Sequence, residues 1–292
     1  DLFRSLRSTT GGLADPIGEV NGVPVLFARS YNVQDLQTTA IYGQANYIIN
    51  DEWSITAGGR ITDEQRAFDA LGQLEEPETF GPEAVDVYRF DDLETSATEF
   101  SYRLGAEYRP DSSTLYYASV ASGFKSGGFN GGFLNIDPAI ANRQIQPFDP
   151  EFVTAYEVGM KADLLNSKMR LNASLFYNDF KDLQVFTLVN SGTTPILVLD
   201  NASNANSLGL ELDFSAVLAQ GLTANLNAAF ISSELENFID ETTGQDYSGN
   251  KLTQTPDTSV SGYVNYEYPL SRGGYITAVS YTHLTLPTNH PV

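Results

Sequence analysis

Polar and apolar residues alternate along this chain in runs longer than most soluble folds use. In 53–61 (WSITAGGRI), Trp53, Ile55, Ala57, Gly59 and Ile61 face away from Ser54, Thr56, Gly58 and Arg60. The same rhythm runs through 169–178 (MRLNASLFYN), 208–218 (LGLELDFSAVL) and 222–230 (LTANLNAAF). Successive side chains of a strand point to opposite faces, so each run predicts a strand with one apolar and one polar face. Many runs reach about 12 residues, where globular strands average ~5–6 and a tilted bilayer crossing takes ~9–11.

The joints between the runs alternate as well. Tight turns are predicted at 50–52, 110–113, 166–168, 219–221 and 271–274, with long polar connections at 69–94, 125–150, 188–203 and 237–256. Short and long joints in turn are the pattern of strands running up and down across a layer, with turns on one side and loops on the other.

Charge follows the alternation. Arg60, Arg103, Glu107, Glu157, Lys161, Asp163, Arg170, Glu211, Asp213 and Glu267 share a parity with the small polar residues. An outward Arg at mid-bilayer costs about 2–4 kcal/mol, so a membrane barrel keeps such charges on its lumenal side. Aromatics gather beside the tight turns: Tyr47 with Trp53, Tyr108 with Tyr116 and Tyr117, and Tyr266 with Tyr268 and Tyr275. That is where an interfacial girdle belongs. The expected fold is an all-β, antiparallel transmembrane β-barrel, present in part, with about ten strands. A soluble all-β glycan-binding or adhesion module is the alternative that alternation by itself also fits.

Composition removes other classes. The chain has 292 residues, no cysteine and a net charge of −21. Disulfides and thiolate metal sites are out, and nucleic acid is not an expected partner for so acidic a chain. No run approaches the ~20 apolar residues of a membrane helix, and no basic-plus-apolar leader stands in the sequence.

Four stretches carry a family resemblance: TTAIYGQANYIINDEWSITAGGRITDE (38–64), TLYYASVASGFKSGGFNGG (114–132), PEFVTAYEVGMKADLLNSKMRLNASLFYNDFKDLQV (150–185) and NASNANSLGLELDFSA (201–216). They resemble TonB-dependent outer-membrane receptors, over nearly everything from Leu36 to Ala278. The resemblance implies a 22-stranded barrel, with this chain lacking the plug domain, the TonB box and the first half of the barrel. It implies the bacterial outer membrane as location. The implied partners are outer-membrane lipid, a ferric siderophore or similar iron complex, and the TonB energy-transducing complex acting through the absent plug. A passive porin-like channel is the neighbouring alternative. Such a piece would leave two sheet edges open, and it is expected not to form a working receptor alone.

No enzyme is expected. Both histidines, His283 and His290, sit in the tail, and no G-x-S-x-G, Walker A or zinc spacing occurs. No cofactor or resident metal is expected. The stretch 69–94 holds nine acids and one base, in which calcium binding is weighed against a solvated loop; the spacing matches no EF-hand. Ligand contact, as the resemblance implies it, falls to Phe124, Lys125, Phe129, Asn130 and Phe133 in the glycine-rich loop. Aromatics there would stack on a ligand and Lys125 would meet an anionic group; the alternative is that they only pack the loop against the rim.

By this reading residues 1–35 are an extracellular loop with a partial strand, and 36–278 are barrel. Residues 279–292 are a non-native tail: VSYTHLTLPT resembles read-through into a transposon end and sequencing adapter, Pro287 would interrupt a strand, and His283 departs from the preceding pattern.

Overall fold

In a computed structural model the chain is one antiparallel meander. Residues 4–13, 19–20, 23–24, 27–75, 85–131, 134–135, 137–190, 195–239 and 244–286 are described. The strands are β1 (Arg4–Leu13), β2 (Glu19–Val20), β3 (Val23–Pro24), β4 (Phe27–Ile48), β5 (Trp53–Glu75), β6 (Val85–Tyr108), β7 (Thr114–Lys125) and β8 (Gly128–Phe129). After helix α1 (Pro138–Gln144) come β9 (Pro147–Phe148), β10 (Glu151–Leu164), β11 (Met169–Asn190), β12 (Pro195–Ala219), β13 (Leu222–Leu235), β14 (Thr258–Pro269) and β15 (Tyr275–Leu286). Eleven of these form a single sheet in the order β1-β4-β5-β6-β7-β10-β11-β12-β13-β14-β15. Among the described residues its edges, β1 and β15, pair only inward, so the sheet is a wall of a barrel and not a closed one.

All five tight turns fall where the rhythm predicts them, between β4 and β5, β6 and β7, β10 and β11, β12 and β13, and β14 and β15. Their chemistry is local. Asn50 Oδ1 accepts from the N–H groups of Glu52 (3.0 Å) and Trp53 (2.8 Å), an Asx turn that starts β5. Gly221 sits at φ +76°, and a Cβ there would stand 2.3 Å from the Glu267 carbonyl oxygen. Gly221→Ala combines a left-handed backbone with that overlap. It should cost about 1–3 kcal/mol, seen as a lower urea midpoint of the membrane-inserted protein.

At the other end the strands are longer than the sequence suggested. The stretches 69–94 and 188–203, read as polar connections, are mostly strand. β5 climbs to Glu75 before β6 descends from Val85, and β11 climbs to Asn190 before β12 descends from Pro195. Polar and apolar residues mix on both faces of these tall hairpins, as in LQVFTLV (183–189) and PILVL (195–199), and register slips interrupt them, which erases the apolar period. Within 1–35, where the sequence suggested a loop with a partial strand, β1 (RSLRSTTGGL) is the eleventh strand of the sheet and β4 already starts at Phe27.

The register sorts the faces. Cross-strand partners share a face, as do residues two apart. One face carries Ile55, Ile61, Phe100, Leu104, Val158, Leu175, Leu210 and Leu226, all largely exposed. On this face apolar residues fill nine-residue spans (53–61, 100–108, 116–124, 156–164, 169–177), with Ser122 the one polar residue among them, flanked above by Asp63, Thr98, Thr154 and Asp179. A belt of that height matches a tilted crossing of ~9–11 residues. Its lower rim is aromatic: Trp53 stacks on Tyr108 with centroids 4.6 Å apart, and Tyr108 on Tyr116 at 6.3 Å. Phe100 with Tyr102 and Tyr156 with Tyr177 mark the upper rim. Tyr117 and Tyr275, grouped by sequence with the lower aromatics, lie on the opposite face.

The ladder continues through β15 from Tyr275 opposite Pro269 to Leu286 opposite Thr258, past Val279 where the sequence reading ends the native strand. Backbone pairing uses groups every non-proline residue carries, so it forms over this stretch whatever its origin. His283 stands opposite Ser261, on the face of Glu267. The polar face is thus where the histidine falls, contrary to the mismatch read from the sequence. Pro287 and His290 lie outside the described residues.

Candidate functional site

The ten charged residues singled out by parity all fall on the face opposite the belt. Arg60 lies opposite Ser101, beside Arg103; Glu107 pairs with Tyr117, Glu157 with Ser119, and Asp163 with Arg170. Asn172 links Lys161 to Asp213, Ser174 faces Glu211, and Asn227 carries the face on to Ser261 in the strand of Glu267. Near the tight turns the charges pair off: Arg170 Nε donates to Asp163 Oδ1 (2.7 Å) and Arg109 Nη1 to Glu107 Oε2 (2.6 Å). Midway up, the Tyr117 hydroxyl donates to Glu157, Lys161 Nζ lies 5.8 Å from the Tyr117 ring centroid, and Asn172 donates to Asp213 (3.2 Å). A hollow of about 320 Å³ opens there beside Glu211, Asp213, Asn227 and Ser261. It is acidic and hydroxyl-rich, with no nucleophile–base pair.

Above the belt, the described residues of 126–149 fold onto this charged face. Asp137 caps α1 by accepting from the Ala139 N–H (2.9 Å), and Pro138 takes the first helical position, where its missing N–H is not needed. The helix presses Ala141 and Ile145, with Leu134, onto Phe68, Ala70 and Tyr88 of the β5–β6 hairpin. Among the described residues this is the buried core of the molecule. Arg66 reaches the same place: it is half-buried, a Cβ on Gly128 would lie 2.9 Å from its Nη1, and burial lowers its pKa while Glu64 opposes that. An arginine stays charged throughout.

The five sequence-predicted ligand residues part company here. Phe124 pairs with Phe152 on the belt face, so the sheet itself separates it from Lys125, Phe129 and Asn130. Lys125, opposite Glu151, is exposed on the charged face. Phe129 stacks on Phe68 with centroids 5.7 Å apart, the packing role weighed as the alternative. Asn130 is engaged with the Leu199 main chain, donating to its carbonyl (2.9 Å) and accepting from its N–H (2.8 Å). Phe133 lies outside the described residues. Among those described, no group of three or more His, Cys, Asp or Glu is placed to hold a metal ion. Of the acids in 69–94, Asp86 and Asp91 instead meet Arg89 at 2.9 and 3.7 Å, and Gln73 with Arg89 holds the Asp86 carboxyl below the usual range.

Sequence reasoning passed over Arg66, Asn32, Gln184 and Asn201, which organise this segment. The Asp-Pro start of α1 was a legible signal; the amides carried none, because their partners are main-chain atoms remote in sequence.

Comparison with known proteins adds the following. The family model described as "TonB dependent receptor-like, beta-barrel" matches residues 2–288. The pesticin receptor of Yersinia pestis is 27% identical over 272 residues, covering 91% of this chain and 36% of that receptor. The metal-pseudopaline receptor CntO of Pseudomonas aeruginosa is 27% identical over 182 residues, covering 62% of this chain and 23% of CntO. The crystal structure of the ferric yersiniabactin uptake receptor FyuA from Yersinia pestis superposes with a TM-score of 0.70 at 20% identity, covering 97% of this chain and 38% of FyuA. The chain thus spans little more than a third of the length of the first of these relatives.

Proposed function

The chain belongs to the TonB-dependent receptor β-barrel family, which places it in the bacterial outer membrane, and from that premise we propose that it forms part of the wall of a receptor for energised uptake of a ferric siderophore or another iron complex. The observation that carries this reading is the segregation of faces. Ten charges lie on one side of the sheet, and on the other an apolar belt that holds no charged residue in the spans 53–61, 100–108, 116–124, 156–164 and 169–177. A polar, charged inner wall with an apolar exterior is what a barrel around an aqueous path requires. A soluble adhesion module would bury the belt face against a second sheet, and Ile41, at 73% exposure, and Phe100, at 62%, have no such cover here.

In this reading the charged face is the lumen, the tall hairpins rise outside the cell, and residues 126–149 fold into the mouth. Lys125 is the ligand-contact candidate retained from the sequence, and Arg66, whose guanidinium lies beside Gly128, joins it as a second cation above the belt. TonB, acting through a plug that relatives of this type carry, is the proposed energy source. Proteins of this fold named for a ferric complex or a siderophore favour iron, whereas CntO and a copper transporter of the same fold keep another metal complex as the second reading.

The test is uptake of ⁵⁵Fe supplied as ferric hydroxamate, catecholate and phenolate complexes, with ⁶³Ni and ⁶⁴Cu chelates in parallel. Cells carrying the complete receptor, with and without TonB, are compared. Accumulation of one iron complex only when TonB is present is the expected result. Equal entry without TonB would establish the porin reading instead, and TonB-dependent entry of nickel or copper alone would move the ligand class.

A further inference from the structure

Three successive residues, 129–131, touch parts of the sheet that lie far apart along it. Phe129 stacks on Phe68 of β5, and Asn32 of β4 donates to the Gly131 carbonyl. Between them, Asn130 exchanges two hydrogen bonds with Leu199 of β12. β5 and β12 are five steps apart in the strand order, about 24 Å along a flat sheet at ~4.8 Å per strand. Neighbouring residues reach both because the sheet curls round them. The charged face is therefore the concave one, and the segment lies along a chord of the curve.

Both ends of the segment are fastened too. Gln184 of β11, only 8% exposed, donates from Nε2 to the carbonyls of Ser126 (2.9 Å) and Asp149 (3.1 Å). Its own main-chain N–H donates to Glu151 Oε2 (2.9 Å). Asn201 Oδ1 accepts from the Asp149 N–H (2.6 Å), and its Nδ2 donates to the carbonyls of Asp149 (2.9 Å) and Asp182 (2.8 Å). The Ser126 hydroxyl donates to Glu64 on the β5 side.

We infer that residues 126–149 are a fixed brace across the mouth, held before any ligand arrives by Asn130, Gln184 and Asn201 as positioning residues. The segment is not a loop that ligand orders or closes. Three features support this. Amide side chains have planar, directional donors and acceptors, and Gln184 and Asn201 grip main-chain atoms of the segment, so no side-chain rotation on the segment releases those contacts. The contacts pull from two opposite sides of the curve, so neither tall hairpin swings without the other. An apolar core of Phe68, Leu134, Ala141 and Ile145 backs them. The ledge around Lys125 is then preformed, and any closing over a ligand falls to other loops. That consequence rests on the lumen reading above; the brace itself does not.

The test needs no ligand and no transport. This chain has no cysteine, so Asn142→Cys on the exposed side of α1 and Lys181→Cys on the outer face of β11, the side the three amides hold, take a nitroxide pair. Both positions are exposed. In the complete protein in outer membranes, without ligand, the brace predicts one narrow interspin distance. Asn130→Ala/Gln184→Met/Asn201→Ala should broaden it, while a label pair placed within the belt stays unchanged, which separates release of the segment from misfolding. Hydrogen exchange adds a finer readout. Asn130→Ala should expose the Leu199 amide, whereas Asn130→Asp, which keeps the acceptor, should leave it protected. A broad or two-peaked distance in the unsubstituted protein would overturn the brace. So would a triple variant as narrow as the parent. Failure of iron uptake would touch neither measurement.

Discussion

Leu104→Arg should abolish accumulation of folded protein in the outer membrane, while removal of the neighbouring charge by Arg103→Leu should leave it nearly intact. Leu104 is half-exposed at the middle of the 100–108 span, paired with Ala57 and Val120 on the belt face. An arginine there faces hydrocarbon at the depth where it is worst tolerated, about 2–4 kcal/mol. That lowers the ratio of folded to unfolded protein roughly 30-fold or more, at tenfold per 1.4 kcal/mol. Arg103 is one residue away on the concave side, opposite Gly58 and Ala121, so its loss exposes nothing to lipid. The measurement is the heat-modifiable, membrane-integrated fraction on gels. Equal tolerance of both substitutions would mean that the belt does not face lipid.

Phe68→Ala should release the inward-folded segment while sparing the barrel wall. Phe68 is 2% exposed and is held between Phe129, Gly131 and the α1 side of the core. Truncating a buried phenylalanine costs about 3–5 kcal/mol, part of it for the cavity left behind. Here the lost contacts are those joining 126–149 to β5, not those of the ladder. Amides of α1 should therefore exchange much faster, by two orders of magnitude or more at ~1.4 kcal/mol per decade, with belt strands unchanged. Phe68→Leu should fall between, because it keeps part of the filling volume. Uniform acceleration across the sheet would show that the core supports the whole wall.

Whatever depends on alternation was legible in the sequence. The five tight turns, the belt, and the common face of Arg60, Arg103, Glu157, Lys161, Glu211 and the rest follow from a period of two. Lipid on one side enforces that period, because a polar residue turned outward is costly. Above the belt that pressure disappears. The upper halves of β5, β6, β11 and β12 mix buried residues such as Phe68, Tyr88 and Gln184 with exposed ones and carry register slips, so no single period survives and their sequences look like loop. The ligand candidates suffered for a related reason. Phe124 and Lys125 are neighbours in sequence but belong to opposite faces of β7, and the loop's glycine-rich character drew attention away from parity. Gln184 and Asn201 left no mark, since an amide that grips main chain looks like any polar residue of a loop.

Among the described residues the register slips only above the apolar belt or beside a turn. Two residues of β6, Asp91 and Asp92, stand against Asp69 of β5, with Asp92 at φ +54° and its N–H held by Asp69 Oδ1 (2.8 Å). β11 slips likewise at Asp182, φ +53°, whose N–H meets Asn204. A bulge absorbs one extra residue and restores the faces beyond it. Within 53–61 or 100–108 one extra residue would turn a row of charges into lipid. Insertions and deletions accumulated among related proteins should therefore be confined to the parts above the belt and to the turns. The tall hairpins can change length, and with it the reach of the mouth, one residue at a time, while the membrane-crossing spans stay fixed in length.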